Sequence, residues 1–324
     1  MRIAIALNGD GMGHATRIMA LAKKLPYTLV FFCPDHIHNL FKRHFPKTKI
    51  YPVPHTHIIK SGNKVKILKT AIENKGIVID RKTPKLISDI MKKERIDALI
   101  CDYEPYSSKA AKIAKVPTVW FGHQAILETE PARGINGILA KLTNKLMMPH
   151  YDKRISSSFY NGDVGPLIRE EIIKAKRSKE DHIIVYAKET AREHIKNAIS
   201  CIEENFQFFP DDNKNYVKAL ASCKAVISTA GHQLISECLY LEKPILLIPE
   251  KGQYEQELNA KMAEGTGWAK ASSLQNLRSD IVNFLKTLNC YPKKTSIKIR
   301  VKTSDSTKEA VCKIEEFIKN SYQE

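Results

Sequence analysis

Two stretches of the 324-residue chain combine residue types and spacings that can do chemistry. The first, GDGMGHATR at 9–17, follows the short apolar run MRIAIALN and sets three glycines, His14 and Arg17 where a first strand should turn into a first helix. Glycines let backbone amides approach a ligand, and a helix N-terminus favours an anion. Gly9 and Gly11 have the opening spacing of the dinucleotide fingerprint GxGxxG, but its third glycine falls on His14, and Gly13 comes one residue early. The partial match does not make a dinucleotide site. What survives is room made by Gly11 and Gly13, and an imidazole at a cleft mouth, the side chain suited to moving protons near neutral pH. Arg17, one turn on, is placed to hold an anion or to bridge a neighbouring carboxylate. The second stretch is STAGHQLISECLYLEKPILLIPEKGQYEQELNAKMAEGTG at 228–267. A strand ends at Thr229, Gly231 and His232 open a helix that carries Glu237, and QYEQELNA opens another. Two helix N-termini then point at one crevice. One can hold a diphosphate while carboxylate and amide side chains read ribose and sugar hydroxyls. CDYEP (101–105) and FGHQ (121–124) end adjacent strands and present Asp102, Glu104, His123 and Gln124 to the same cleft. The pairs His36-x-His38 and His55-x-His57 lack a supporting cysteine or carboxylate pattern and read as surface histidines, not metal ligands.

These residues need elements to hold them. Continuous apolar runs at 2–7, 28–33, 49–53, 97–103 and 117–122 read as strands covered on both faces, with helical patterns at 13–24, 35–44, 84–94 and 105–115 between them. Pro105 suits a first helical turn. Residues 156–168, SSSFYNGDVGPLI, are small and polar with Gly and Pro, and read as a linker. After them the alternation restarts: strands at 182–187, 206–209, 224–229 and 244–249, helices at 190–204, 213–222, 232–241 and 253–264, then helical patterns near 273–287 and 307–320. The expectation is α/β: two Rossmann-like doubly wound domains, 1–158 and 159–324, facing a cleft, with the last helix free to pack back on the first. Ligands in such sheets bind beyond the carboxyl ends of the strands.

A segment at 57–83 departs from the alternation, mixing Val65, Ile67, Leu68 and Ile72 with Lys60, Lys64, Lys66 and Lys69, and a second basic-apolar stretch follows at 135–148. Basic groups around apolar ones favour an anionic lipid surface; an amphipathic helix lying over the core gives the same pattern. The net charge of +17 raises affinity for phosphates, and a solvated lysine surface accounts for it equally well. Seven cysteines, scattered and without a CxxC pair, argue against a zinc ribbon or disulfide framework and fit a reducing compartment. No apolar run reaches the roughly 18 residues of a membrane span, and the first run is too short for a signal peptide. A cytoplasmic protein is expected, with peripheral attachment to the inner membrane face left open by the basic-apolar segments.

The string GH…E…KP…P…Q.EQ..NA within 228–267 resembles the donor-binding half of GT-B glycosyltransferases, particularly the MurG-like kind of glycosyltransferase family 28, and is most similar to the archaeal and bacterial MurG-like proteins. The order of elements matches over nearly the whole chain. The resemblance implies that Glu237 binds both ribose hydroxyls. Gly231, His232 and Gln233 would face the pyrophosphate, Glu255 and Gln256 would contact the donor sugar, and Asn259 would belong to the same donor motif. It implies inverting, metal-independent transfer of GlcNAc or a related hexose from a UDP-sugar to an acceptor hydroxyl, with no cofactor beyond that co-substrate. The acid pair Asp102-x-Glu104 is then not a metal site, because GT-B enzymes generally use helix dipoles and basic groups. His14 is the first choice of base, with Asp102 or Glu104 orienting or replacing it. Gly11, Gly13, Arg17, His123 and Gln124 fall on the acceptor side. The turn VYAKET departs from the glycine-rich turn usual there; Lys188 either supplies a mobile charge to phosphate or is a solvated loop residue. The lysine-rich 57–72 occupies the position of the membrane-associating patch of MurG-type enzymes, and a lipid-linked phosphate acceptor follows by analogy. No nucleic-acid partner is expected, since no RNP, KH or zinc-finger pattern is present. Two alternatives remain at this level: a UDP-sugar 2-epimerase of the same architecture, and a non-catalytic protein that binds an anionic ligand.

Overall fold

The computed structural model describes residues 1–56, 59–61, 64–65, 67–187, 189–295 and 300–322. In the first half, β1 (Arg2–Leu7), β2 (Thr28–Cys33) and β3 (Lys49–Pro52) are followed by a short antiparallel pair, β4 (Lys60–Ser61) and β5 (Lys64–Val65), and then by β6 (Ala98–Asp102), β7 (Thr118–Gly122) and β8 (Lys153–Ser156). The main sheet runs β3-β2-β1-β6-β7-β8, with every pair parallel. The second half contributes β9 (Ile183–Tyr186), β10 (Phe206–Phe209), β11 (Ala225–Ser228), β12 (Ile245–Leu247) and β13 (Ala269–Ala271), a parallel sheet in the order β10-β9-β11-β12-β13. Successive strand residues point to opposite faces. Ile3, Ile5 and Leu7 of β1 therefore enter one core while Ala4 and Ala6 enter another. In the second sheet Ile184 and Val226 face one core, and Ile183, Val185 and Ile227 the other. Both faces of each sheet are covered, which is why the strands read as unbroken apolar runs.

The covering helices are α1 (Met12–Ala22), α2 (His38–His44), α3 (Ile67–Glu73), α4 (Gly76–Ile79), α5 (Lys82–Lys93), α6 (Pro105–Ala114) and α7 (Gly134–Met147) in the first half. The second half has α8 (Glu170–Ile173), α9 (Glu189–Ile199), α10 (Tyr216–Ser222), α11 (His232–Tyr240), α12 (Tyr254–Glu264), α13 (Leu277–Lys286) and α14 (Thr307–Asn320). α14 returns to the first sheet, burying Ala310, Ile314 and Ile318 in its core. Two parallel-sheet Rossmann-like α/β halves are thus in place. Among the described residues no helix is long and apolar enough to cross a membrane.

Three expectations shift. The region 35–44 opens as a 3₁₀ turn at Asp35–Ile37 before α2. The helix expected from 213 begins at Tyr216, because the Asn215 side chain accepts from the Lys218 N–H and caps it there. Residues 156–168 are not a loose linker. Phe159, Tyr160 and Ile168 lie in the second core and Val164 and Leu167 in the first. Their polar neighbours satisfy the buried backbone: Asp163 accepts from the N–H and hydroxyl of Ser156, and the Ser157 hydroxyl donates to Gly165 O. Small polar residues served a buried crossing, a use that composition alone does not distinguish from solvation.

Candidate active site

β1 ends in Leu7, and the chain turns through Gly11 at φ +88°, the left-handed region that glycine reaches without strain. α1 then starts at Met12 and carries His14 and Arg17 on its inner face. Beside β1, β6 delivers Asp102 at its last residue, fully buried. The three side chains interlock. Asp102 Oδ1 is 3.0 Å from His14 Nδ1. Arg17 donates from Nη2 to both carboxylate oxygens at 2.8 Å and from Nε at 3.2 Å. Arg17 therefore bridges a carboxylate. Arg17 Nη2 also lies 3.2 Å from Nδ1; because its hydrogens are already given to Asp102 at 2.8 Å, the Nδ1 proton is assigned to the Asp102 contact and the His14 lone pair to Nε2. Burial pushes the Asp102 carboxyl up, but Arg17 and His14 outweigh it and hold it below the usual carboxylate range.

Two further residues shape this corner. A Cβ on Gly122 would sit 2.5 Å from Asp102 Oδ1, so only glycine at the end of β7 leaves the carboxylate its place. Tyr103 takes φ +62°, a left-handed conformation unusual for a side-chain-bearing residue. This lays its ring beside His14, centroids 6.3 Å apart and planes 15° apart, and aims its hydroxyl at Asn144 Oδ1, 3.0 Å away on α7. Asn144 in turn donates to Gln124 O at 3.2 Å. Gly122, Tyr103 and Asn144 escaped the sequence reading: a glycine at a strand end is common, and the other two act through contacts distant in sequence.

Glu104 does not face the cleft. Its two carboxylate oxygens accept from the Tyr106 and Ser107 N–H groups at 3.0 and 2.7 Å and cap α6. Burial raises its carboxyl against those bonds. It is a buried helix cap, held by its bonds to the first turn of α6. His123 is also displaced from the acceptor side. Fully buried, it lies 2.8 Å from Asn259 Oδ1 through Nε2 and stacks on His232, centroids 3.7 Å apart. Gln124 does reach the cleft. Its Nε2 is 3.4 Å from His14 Nε2 and donates to Glu255 Oε2 at 3.1 Å, across to α12.

On the other side α11 starts at His232 after Gly231, with no side-chain cap on its first amides and open space around Gly231. The His232 ring is packed between His123 and Phe159, and its Nε2 accepts from the Phe159 N–H at 3.3 Å. Burial, with His123 and Arg17 beside it, pushes His232 well below the usual histidine range; burial likewise lowers His123. Both rings are neutral packing groups. Asn259, fully buried, bolts the halves together, accepting also from the Tyr160 hydroxyl and donating to Ala230 O. Gln256 turns away, bonding the Glu250 N–H, Glu250 Oε2 and Gln253 Oε1. Its amide is spent on the loop that precedes α12. Glu237 is buried under a fork from Arg169, at 2.8 and 2.7 Å, with Gln233 and Tyr216 also donating to it. Arg169 was missed because nothing local in the sequence pairs it with a residue on α11. Lys188 lies outside the described residues, as does most of 57–72 at side-chain level.

The geometry gathers His14, Asp102, Arg17, Gln124, Glu255, Gln233 and the start of α11 at the facing carboxyl ends of the two sheets. Gly13 belongs to the same place: a Cβ there would meet Gln233 Cβ at 3.8 Å. Tyr254 adds a latch at the rim, taking the Arg133 N–H and donating to Pro131 O. Gln124 Oε1, Gln233 Oε1 and His232 Nδ1 are buried and find no hydrogen-bond partner among the described residues. Buried polar atoms are rarely left so; Gln124 and Gln233 stand at the cleft, whereas His232 Nδ1 lies within the packed stack. A cavity of about 900 Å³ lined by Lys112, Lys153, Arg154 and Lys313 contains none of these residues. Among the described residues no group of three or more His, Cys, Asp or Glu could hold a metal ion. His36 and His38 bond the carbonyls of Gly9 and Cys33. All seven cysteines are free, and four are buried.

Residues 1–289 match the model of a family described as glycosyl transferase family 1. An uncharacterized glycosyltransferase of Methanosarcina mazei is 23% identical over 335 residues, covering 84% of this chain and 86% of that protein. Among solved structures, MurG of Acinetobacter baumannii superposes with a TM-score of 0.61 at 14% identity, covering 97% of this chain and 99% of that one. LpCGTa, crystallised in complex with UDP, superposes with a TM-score of 0.59 at 13% identity, covering 97% and 93%. At such identities the structural likeness speaks for the GT-B fold alone. The matching model is that of family 1, whereas the sequence resemblance pointed to the MurG-like kind of family 28; the GT-B architecture is what they share.

Proposed function

The chain belongs to glycosyl transferase family 1, and from that premise we propose that this GT-B glycosyltransferase moves GlcNAc or a related hexose from a UDP-sugar to an acceptor hydroxyl, with inversion and without a metal. The observation that carries the reading is the His14–Asp102 pair. Asp102 holds the Nδ1 proton, so Nε2 is the basic atom and faces the cleft beside Gln124 and Glu255. In the reaction Nε2 takes the acceptor hydroxyl proton as the oxygen attacks the anomeric carbon. The bond from that carbon to the diphosphate oxygen breaks, and the nucleoside diphosphate leaves. A single displacement at carbon inverts it, through an oxocarbenium-like transition state. The imidazolium formed sits against Asp102, and the uncapped amides at the start of α11 meet the departing charge. Glu237 is assigned to the ribose, Glu255 to the donor sugar, and Gln124 with Gly11 and Gly13 to the acceptor.

The sequence resemblance to MurG-like enzymes extends the proposal to an acceptor carried on lipid. α7 supports it: Ile135, Ile138, Leu142 and Leu146 fall on one helical face and are exposed, as are Val78 and Ile79 of the adjoining α4. Arg133, Lys145, Lys75 and Lys82 stand exposed around them. The buried face of the same helix holds Asn144 against Tyr103 and Gln124. An apolar stripe with a basic rim suits an anionic bilayer surface. One thermal-shift panel tests the donor: UDP and UDP-sugars are expected to stabilise the protein more than GDP, TDP and their sugars, and no response to any of them refutes the reading.

A further inference from the structure

We infer that Arg169 is a positioning residue that presents Glu237 to a vicinal diol, and that Gln233 and Tyr216 are the donors the diol displaces. The inference rests on Glu237 being the ribose carboxylate. Glu237 is only 1% exposed, and its four lone-pair sites are all taken. Oε1 accepts from Arg169 Nε at 2.8 Å and Gln233 Nε2 at 3.1 Å. Oε2 accepts from Arg169 Nη2 at 2.7 Å and the Tyr216 hydroxyl at 3.4 Å. A ribose can reach this carboxylate only if donors leave, and the four are not equal. The guanidinium makes two short, parallel, charge-assisted bonds, the strongest kind available to a carboxylate. The two longer bonds fall one on each oxygen. Gln233 has a second acceptor in Leu167 O at 3.1 Å, so its amide keeps a partner when it swings off. Tyr216 keeps its ring against Arg169, Tyr186 and Phe209 whether or not its hydroxyl is bonded. Two hydroxyls of one diol can therefore replace Gln233 and Tyr216, one per oxygen, while the Arg169 fork stays and fixes the plane of the carboxylate. Arg169 stands at the N-cap of α8, directly after the crossing at 156–168, and so ties the orientation of Glu237 to the segment that joins the two halves.

The test compares binding of UDP, 2′-deoxy-UDP and 2′,3′-dideoxy-UDP to the full chain by calorimetry. The unaltered protein is expected to lose about tenfold to a hundredfold in affinity per missing hydroxyl. Arg169→Gln is expected to bind all three nucleotides within about threefold of one another, and Arg169→Lys, with one point charge in place of a fork, to fall between. Tyr216→Phe is expected to bind UDP at least as tightly as the unaltered protein and to keep the preference, and it stands as the test if Arg169→Gln does not fold. An Arg169→Gln or Arg169→Lys protein with the full preference would overturn the inference and leave the ribose reading intact. A Tyr216→Phe protein without the preference would overturn it too, by giving the diol to the phenol. An unaltered protein that binds UDP with no preference among the three, or binds none of them, refutes the ribose reading itself and the inference with it.

Discussion

Replacing Asp102 by Asn separates what this carboxylate does for the fold from what it does for the chemistry. Its oxygens take Arg17 Nη2 at 2.8 Å each, Arg17 Nε at 3.2 Å and His14 Nδ1 at 3.0 Å, all in a fully buried site. The amide keeps the shape and removes the charge. Arg17, only 3% exposed, is then a buried cation without a counterion, a loss on the order of 3–5 kcal/mol of stability. At His14 the amide either turns its NH₂ toward Nδ1 and forces the proton onto Nε2, or keeps the tautomer and fails to balance the imidazolium. Either way kcat for UDP release from UDP-GlcNAc should fall by about 10²–10⁴. Adding Arg17→Met removes the stranded cation. The Arg17→Met/Asp102→Asn protein should recover most of the melting temperature and none of the turnover. A kcat for Asp102→Asn within about threefold of the unaltered protein would refute the base assignment. Turnover that returned along with stability in the double variant would show that Asp102 serves only to neutralise Arg17.

Gly122→Ala places a methyl 2.5 Å from Asp102 Oδ1 and 3.5 Å from Arg17 Nη2, and overpacking of about 1–3 kcal/mol should appear as lower kcat with donor KM unchanged; an unaffected kcat would show that the corner relaxes freely. The stacked pair His123–His232 gives stability a defined pH slope. Both are held below the usual histidine range by burial, so below about pH 6.5 the unfolded chain binds more protons than the folded one. Stability should therefore be complete above that value and decline as pH falls toward the folded values, and His232→Phe should flatten the decline; a melting temperature constant from pH 7 to 5 would contradict the neutral stack. Ile138→Glu/Leu142→Glu should abolish sedimentation with phosphatidylglycerol vesicles while shifting stability by less than about 0.5 kcal/mol; equal sedimentation with phosphatidylcholine alone, or none, would remove the lipid reading. UDP release should be indifferent to EDTA, and loss of activity restored by a divalent cation would overturn metal independence.

The sheets were legible because a parallel strand covered on both faces leaves an unbroken apolar run, as in β1, β6 and β11. The positions of His14, just into α1, and Asp102, at the end of β6, were legible for a related reason, since strand ends mark where a doubly wound sheet can bind. Residue type misled where one chemistry has two uses. Glu104 has the side chain of a general acid, but a carboxylate directly before Pro105 also caps a helix, and two backbone N–H groups claimed it. His123 and Asn259 have the polarity of ligand contacts and instead satisfy each other across the buried junction. The segment 156–168 had the composition of a linker and the burial of a core.

The sequence offered a carboxylate bridge for Arg17 without naming the carboxylate, and it hid the Arg169 fork altogether. Arg17 reaches a carboxylate 85 residues away and Arg169 one 68 residues away, separations at which spacing conveys nothing. Their consequence is electrical. Asp102 and Glu237, assigned here to the base and to the ribose, each arrive already matched by one guanidinium, so their orientation is set before any ligand binds. It also means that, among the described residues, Arg17 and Arg169 are each spent on a carboxylate. The net charge of +17 draws anions toward the molecule at longer range. In the proposed reaction the uncapped amides at the start of α11 meet the charge of the departing diphosphate, with a dipole that needs no counterion.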